Sequence, residues 1–272
     1  MTLSITHLNG SPASVSDLAP LAFAGYAHFT AMQVRDRSVR GLDLHLKRLR
    51  SASDELFGRH LPDERITELL RLAIEDAEER DGSLTCFVTS RPGEFAPAGV
   101  TPELDVLVKV IDPAQPPVGP LTLDVVHHER HLPQVKHVGE VGKTLFLRRA
   151  NAHGFDDAAF VDRAGRLSEA TIWNLAFWDG ESVIWPEADY LPGVTMQILK
   201  RRLQSNGIRQ QTRGIHPADI TEQFSAVVMN SWTPGVPVSR IGDCSLADGS
   251  PLVRLLHEAY AGEAPATLVQ SQ

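Results

Sequence analysis

At 272 residues, 42% apolar and 22% charged, the chain has the composition of an ordinary globular protein with one large or two modest domains. A net charge of −8 argues against a nucleic-acid partner, because phosphate binding usually draws on a concentrated basic face. Two isolated cysteines, Cys86 and Cys244, exclude a disulfide framework and a zinc cage, so no metal is expected.

The opening MTLSITHLNGSPAS has no basic stretch followed by a long apolar core, and no run of about 18 apolar residues occurs anywhere. The expectation is a cytoplasmic protein without a membrane partner. FTAMQV, SLTCFVTS and LDVLVKVI are expected strands by their β-branched and aromatic content, with Cys86 a small buried thiol in the second. Between the first two, GLDLHLKRLRSASDELFG places Leu42, Leu46, Leu49, Ser53 and Leu56 at helical spacing between Gly41 and Gly58, and DERITELLRLAIEDAEER reads as a second amphipathic helix.

DPAQPPVGP, residues 112–120, has four prolines in nine residues and reads as a linker. It divides a smaller domain, 1–111, from a larger one, 121–272. In the second, LTLDVVHH, AAFVD, NLAFW, SVIWP and SAVVMN are expected strands, and KTLFLRRANAHG, VTMQILKRRLQSNG and SPLVRLLHEAYAG expected helices. Strands interleaved with helices predict a mixed α/β (α+β) protein.

HVGEVGKT, residues 137–144, raises the question of a phosphate-binding loop over Gly139–Thr144. Such a loop needs a strand leading in and a first glycine. Here the lead-in HHERHLPQVK is polar and broken by Pro133, and His137 stands where the glycine would be. A lysine ahead of a helix, an acidic strand end and a following Ser-Glu offer a different chemistry. An aldehyde cofactor needs a lysine amine for a Schiff base and a carboxylate to keep its pyridine nitrogen protonated. Lys136 and Glu169 supply those groups.

Lys136, Ala150, Gly154, Asp156, Ala158, Asp162, Gly165 and Glu169 fill the pattern K…A…G-x-D-x-A…D-x-x-G-x-x-x-E. In this the segment resembles fold-type IV pyridoxal-phosphate enzymes, the class IV aminotransferases, which include branched-chain and D-amino-acid aminotransferases and aminodeoxychorismate lyase. HLKRL resembles the family helix whose arginine, here Arg48, holds the cofactor phosphate. LPGVTMQIL resembles the segment that meets the phosphate at a helix start, here through Gly193, Val194 and Thr195. NSWTPGVPVSRIGD resembles a late segment that makes Asn230 and Ser231 cofactor contacts and brings Trp232 near the substrate. Asn174, five residues after Glu169, is a candidate to orient the ring or to close a turn. The resemblance runs from about residue 20 to the last helix.

The resemblance implies a two-domain, D-amino-acid aminotransferase-like fold, pyridoxal 5'-phosphate as cofactor, a homodimer, and small-molecule partners, an amino donor and a keto acceptor. It also marks departures. The tyrosine that commonly follows the lysine by five residues is replaced by Val141, and the N-terminal motif carries Phe29-Thr30 where many transaminases have an aromatic followed by Glu. Thr30, and His137 directly after the lysine, resemble the lyase branch, which eliminates pyruvate. Thr30 is thus either a proton-transfer residue or strand packing, and Arg91 either meets a substrate carboxylate or is structural.

Overall fold

The structure, a computed structural model, describes residues 3–77, 79–91, 99 and 101–269. The chain forms two compact units, the first made of residues 1–115, 135–139 and 264–272 and the second of residues 116–134 and 140–263.

The first unit is an antiparallel sheet covered on one face by two helices. Its elements are β1 (Ser4–Leu8), β2 (Ser11–Pro12), β3 (Ala27–Val34), β4 (Ser38–Arg40), α1 (Leu42–Phe57), α2 (Asp63–Asp76), β5 (Gly82–Arg91) and β6 (Glu103–Ile111). The sheet runs β2-β1-β6-β5-β3. α1 and α2 lay Leu46, Leu49, Ile66, Leu69, Leu70 and Ala73 on Met32, Val34, Leu84, Cys86, Val88 and Val108, the apolar stripes that the helical and alternating periodicities predict.

The second unit contains β7 (Leu121–His127), α3 (Val141–Ala152), β8 (Asp157–Val161), β9 (Leu167–Ala170), β10 (Asn174–Trp178), β11 (Val183–Pro186), α4 (Val194–Ser205), β12 (Gln210–Arg213), β13 (Ser225–Asn230), β14 (Thr233–Ile241), β15 (Cys244–Ser245) and α5 (Ser250–Ala261). Its sheet runs β12-β11-β10-β13-β14-β7-β8-β9, and β9 also pairs with β10, which closes the path from β10 to β9 into a ring. Closure rests on one register pair, Asn174 opposite Glu169. α4 and α5 pack Met196, Leu199, Leu203, Leu252 and Leu256 against Val227, Met229 and Trp185. The last strand, β16 (Pro265–Thr267), belongs to the first unit and pairs with β4.

The units differ from the sequence expectation in two segments, residues 135–139 and 264–272, which group with the first unit although both lie in the expected second domain. The division after Gln115 falls inside the proline-rich stretch 112–120, which carries no helix or strand. The expected second domain, 121–272, held Lys136, whereas residues 135–139 group with the first unit. Backbone pairing is the reason: the Phe29 N–H donates to the Lys136 carbonyl (2.8 Å), the Val138 N–H to the Ala27 carbonyl (3.0 Å), and His28 faces His137 across a β-bridge. The lysine segment therefore extends the sheet at the β3 edge. Among the described residues no helix is long and apolar enough to cross a membrane.

Two histidines are buried between β3 and α1, His28 bonded to the Ser53 hydroxyl (2.8 Å) and His45 to that of Thr30 (2.6 Å). Burial pushes both imidazoles down to about 3, with Arg48 adding to the effect at His45. Their folded pKa values lie below the unfolded 6.5, so stability is full above pH 6.5 and is lost as pH falls from there toward 3. Denaturant unfolding measured from pH 7 to 4 will show a loss of about 1.4 kcal/mol per pH unit for each histidine, and His28→Gln with His45→Gln will flatten that part of the slope.

Candidate functional site

In the first unit, Lys136 and Phe29 share a face of the sheet, with Lys136 Nζ 4.8 Å from the Phe29 ring centroid. Alternation along β3 sends Thr30 to the other face, where it is fully buried and bonded to His45. This placement supports the strand-packing reading of Thr30, whose hydroxyl is bonded to His45, one helical turn before Arg48. Arg48 is half-buried on α1. Arg91 ends β5 and forms ion pairs with Glu103 (3.1 Å) and Asp105 (2.6 Å), its β6 neighbours, which supports its structural reading. Residues 92–98, which follow it, lie outside the described residues.

In the second unit, the glutamate and asparagine that close the ring also hold the chain leading into α4. Asp162 shapes the turn before Glu169: its carboxylate accepts the Ala164 and Arg166 N–H groups (2.9 and 2.8 Å) and pairs with the Arg166 guanidinium (2.8 Å). Glu169, 5% exposed, accepts the Leu191 N–H (3.3 Å), and the Asn174 side-chain amide donates to the Leu191 carbonyl (2.8 Å). Two residues on, Gly193 lies so close to Asn174 that a Cβ there would sit 2.0 Å from Oδ1. Glycine is required for this approach. Val194 and Thr195 then open α4, whose first-turn N–H groups have no acceptor within the helix.

The β13–β14 turn meets the same helix end. Asn230 pairs with Thr233, leaving Ser231 and Trp232 as the two turn residues. The Thr195 hydroxyl donates to the Asn230 carbonyl (2.8 Å), and the Asn230 side-chain oxygen accepts the Trp232 N–H (2.8 Å). Glu169, Asn174, Gly193, Val194, Thr195, Asn230 and Ser231 are thereby linked within one unit by short hydrogen bonds and adjacent backbone. Trp232, 41% exposed, meets Trp173 edge to face at 5.8 Å, and the Trp173 indole N–H donates to Asp157 (2.9 Å). Burial raises the pKa of the Asp157 carboxyl.

This donor set suits a phosphorylated pyridine: a cradle of N–H and O–H donors for the anion, and a buried carboxylate for a protonated ring nitrogen. Sequence reading missed Arg130, whose Nε lies 3.5 Å from Glu169 Oε1, along with Leu191, Trp173 and Asp157. No motif carries Arg130, which stands in an irregular polar stretch, and Leu191 acts only through its backbone. A nucleotide loop over Gly139–Thr144 has no strand leading in, since residues 128–136 form neither helix nor strand. Val141 begins α3 with 76% of its surface exposed.

Replacing Gly193 with Ala will lower stability by about 1–3 kcal/mol in thermal or denaturant unfolding, because the new methyl meets an asparagine fixed at its other end. Adding Asn174→Ala will restore part of the loss, giving a double-mutant coupling.

The amino-transferase class IV family pattern matches residues 27–241. Branched-chain-amino-acid aminotransferase-like protein 2 of Arabidopsis thaliana is 24% identical over 91% of this chain, which spans 47% of that relative's length. Among solved structures, the branched-chain aminotransferase of Thermoproteus uzoniensis with norvaline superimposes with a TM-score of 0.83 at 16% identity, covering 96% of this chain and 94% of its own. The branched-chain aminotransferase of Escherichia coli gives 0.82 at 17% identity, covering 98% and 100%. A putative 4-amino-4-deoxychorismate lyase from Legionella pneumophila gives 0.76 at 19% identity, covering 90% and 93%. The fold is the two-domain fold-type IV architecture of pyridoxal-phosphate enzymes, and the chain belongs to the class IV amino-transferase family.

Proposed function

We propose that the chain is a pyridoxal-phosphate-dependent aminotransferase that moves an amino group between a small amino donor and a keto acid. The observation that carries this reading is Glu169, a buried carboxylate tied through Leu191 to the α4 start. When bound, pyridoxal phosphate supplies an aldehyde that captures amines and a protonated ring that accepts the electron pair left at the donor α-carbon.

Lys136 is the proposed catalytic residue, providing the amine that carries the cofactor and shuttling a proton at the donor α-carbon. Glu169 keeps the proton on the ring nitrogen, and Asn174 fixes the chain beside it. Arg48, the Val194 and Thr195 N–H groups and the Ser231 hydroxyl hold the phosphate, while Gly193 lets the backbone come close. Because the Thr195 hydroxyl proton goes to the Asn230 carbonyl, its backbone N–H is the donor assigned to the phosphate. Asn230 sets the turn that presents Ser231, and Phe29 and Trp232 border the substrate. The active enzyme is proposed to be a cytoplasmic homodimer, the dimer being supported by the exposed apolar side chains of Val15 and Phe23.

His137, directly after the lysine, motivates a second reading, elimination of pyruvate from an aminodeoxychorismate-like substrate. Two coupled assays on cofactor-loaded protein separate them. Amino transfer to a keto acid is the expected result, falling on the order of 100-fold in Glu169→Gln. Pyruvate release without an acceptor would replace it with the lyase.

A further inference from the structure

Arg130 lies between two buried glutamates. Its Nε is 3.5 Å from Glu169 Oε1 and 3.9 Å from Glu140 Oε2, and the three side chains are 7%, 6% and 7% exposed in that order. These are ion-pair separations, longer than hydrogen bonds. Glu140 is fixed from its other side by His128, whose Nε2 lies 3.3 Å from Oε1. His128 is itself clamped between the rings of Phe146 (4.9 Å) and Phe160 (4.7 Å). Gly142 makes room for the pair, since a Cβ there would stand 2.6 Å from His128 Nε2 and 2.8 Å from Glu140 Oε1. Glu140 and Gly142 thus have a structural purpose within the GEVGKT fragment.

A guanidinium beside Glu169 alone would offset the negative charge that a protonated ring nitrogen requires, and in a low-dielectric interior that offset is large. A second carboxylate on the same guanidinium returns the charge. We propose that Glu140, held by His128 and admitted by Gly142, is a positioning residue that acts through Arg130 to keep Glu169 an effective partner for a protonated pyridine nitrogen. The inference rests on the assignment of Glu169 to that nitrogen. Lys143 feels the same cluster: burial, then Arg130, lowers its pKa, and Glu140 opposes them.

The test is nitrogen NMR of full-length protein loaded with pyridoxal phosphate labelled with 15N in the ring, titrated with pH. In the unmodified chain the ring nitrogen is expected to be protonated through neutral pH. In Glu140→Gln, which keeps shape and removes charge, the midpoint of its deprotonation is expected to fall by about one pH unit, roughly tenfold in proton affinity. Gly142→Ala, which puts a methyl where His128 and Glu140 meet, is expected to shift it the same way and keeps the test alive should Glu140→Gln not fold. An unchanged midpoint in a folded variant overturns the role of Glu140 while leaving Glu169 in place. Failure of the unmodified chain to bind the cofactor with a protonated nitrogen overturns both.

Discussion

The hydrogen bonds that Leu191 makes, its N–H donating to Glu169 and its carbonyl accepting from Asn174, organise the second unit. The two residues sit opposite each other where β9 meets β10, so the pair that closes the ring also grips the chain about to enter α4. Each bond is worth only about 1 kcal/mol net, somewhat more where the acceptor is a carboxylate. Their effect on geometry is larger than that figure suggests, because Gly193, Val194 and Thr195 follow within four residues and inherit their placement. The β13–β14 turn is then fixed by the Thr195 hydroxyl. One strand closure thus sets both the buried carboxylate and the N–H-rich helix start.

Charge near this closure is arranged in the interior, where it is costly. Glu169, Arg130 and Glu140 are all buried, and a buried ion pair is weak support for stability, since desolvation offsets most of the attraction. Such a cluster is better understood as setting the electrostatic environment of one site. The two histidines buried between β3 and α1 are handled differently: His28 and His45 are kept neutral, each bonded to a hydroxyl. That solution supports a half-buried Arg48 one turn along α1 without placing a second cation beside it.

α1 and α2 were legible from helical spacing, because each lays one apolar stripe on the core, and β5 and β6 from their β-branched and aromatic content. Glu169, Gly193 and Thr195 were legible through the motif pattern, and the structure joins them by hydrogen bonds that the pattern does not contain. β14 was harder to see as a strand, since Pro234, Gly235 and Pro237 are poor ladder formers, yet it links β13 to β7. The grouping of Lys136 with the first unit was not legible, because it depends on backbone pairing to Phe29 and Ala27 that leaves no side-chain signature. For Thr30 the motif left two readings open, and strand alternation turns its side chain into the core, where it is bonded to His45.

Every proposed role turns on Lys136 as the residue that carries the cofactor. Incubating the purified protein with pyridoxal phosphate, reducing with borohydride and mapping the modified peptide by mass spectrometry tests it in one step. A single phosphopyridoxyl adduct on Lys136 is the expected result. An adduct on Lys143 instead, or no adduct at all, would contradict it.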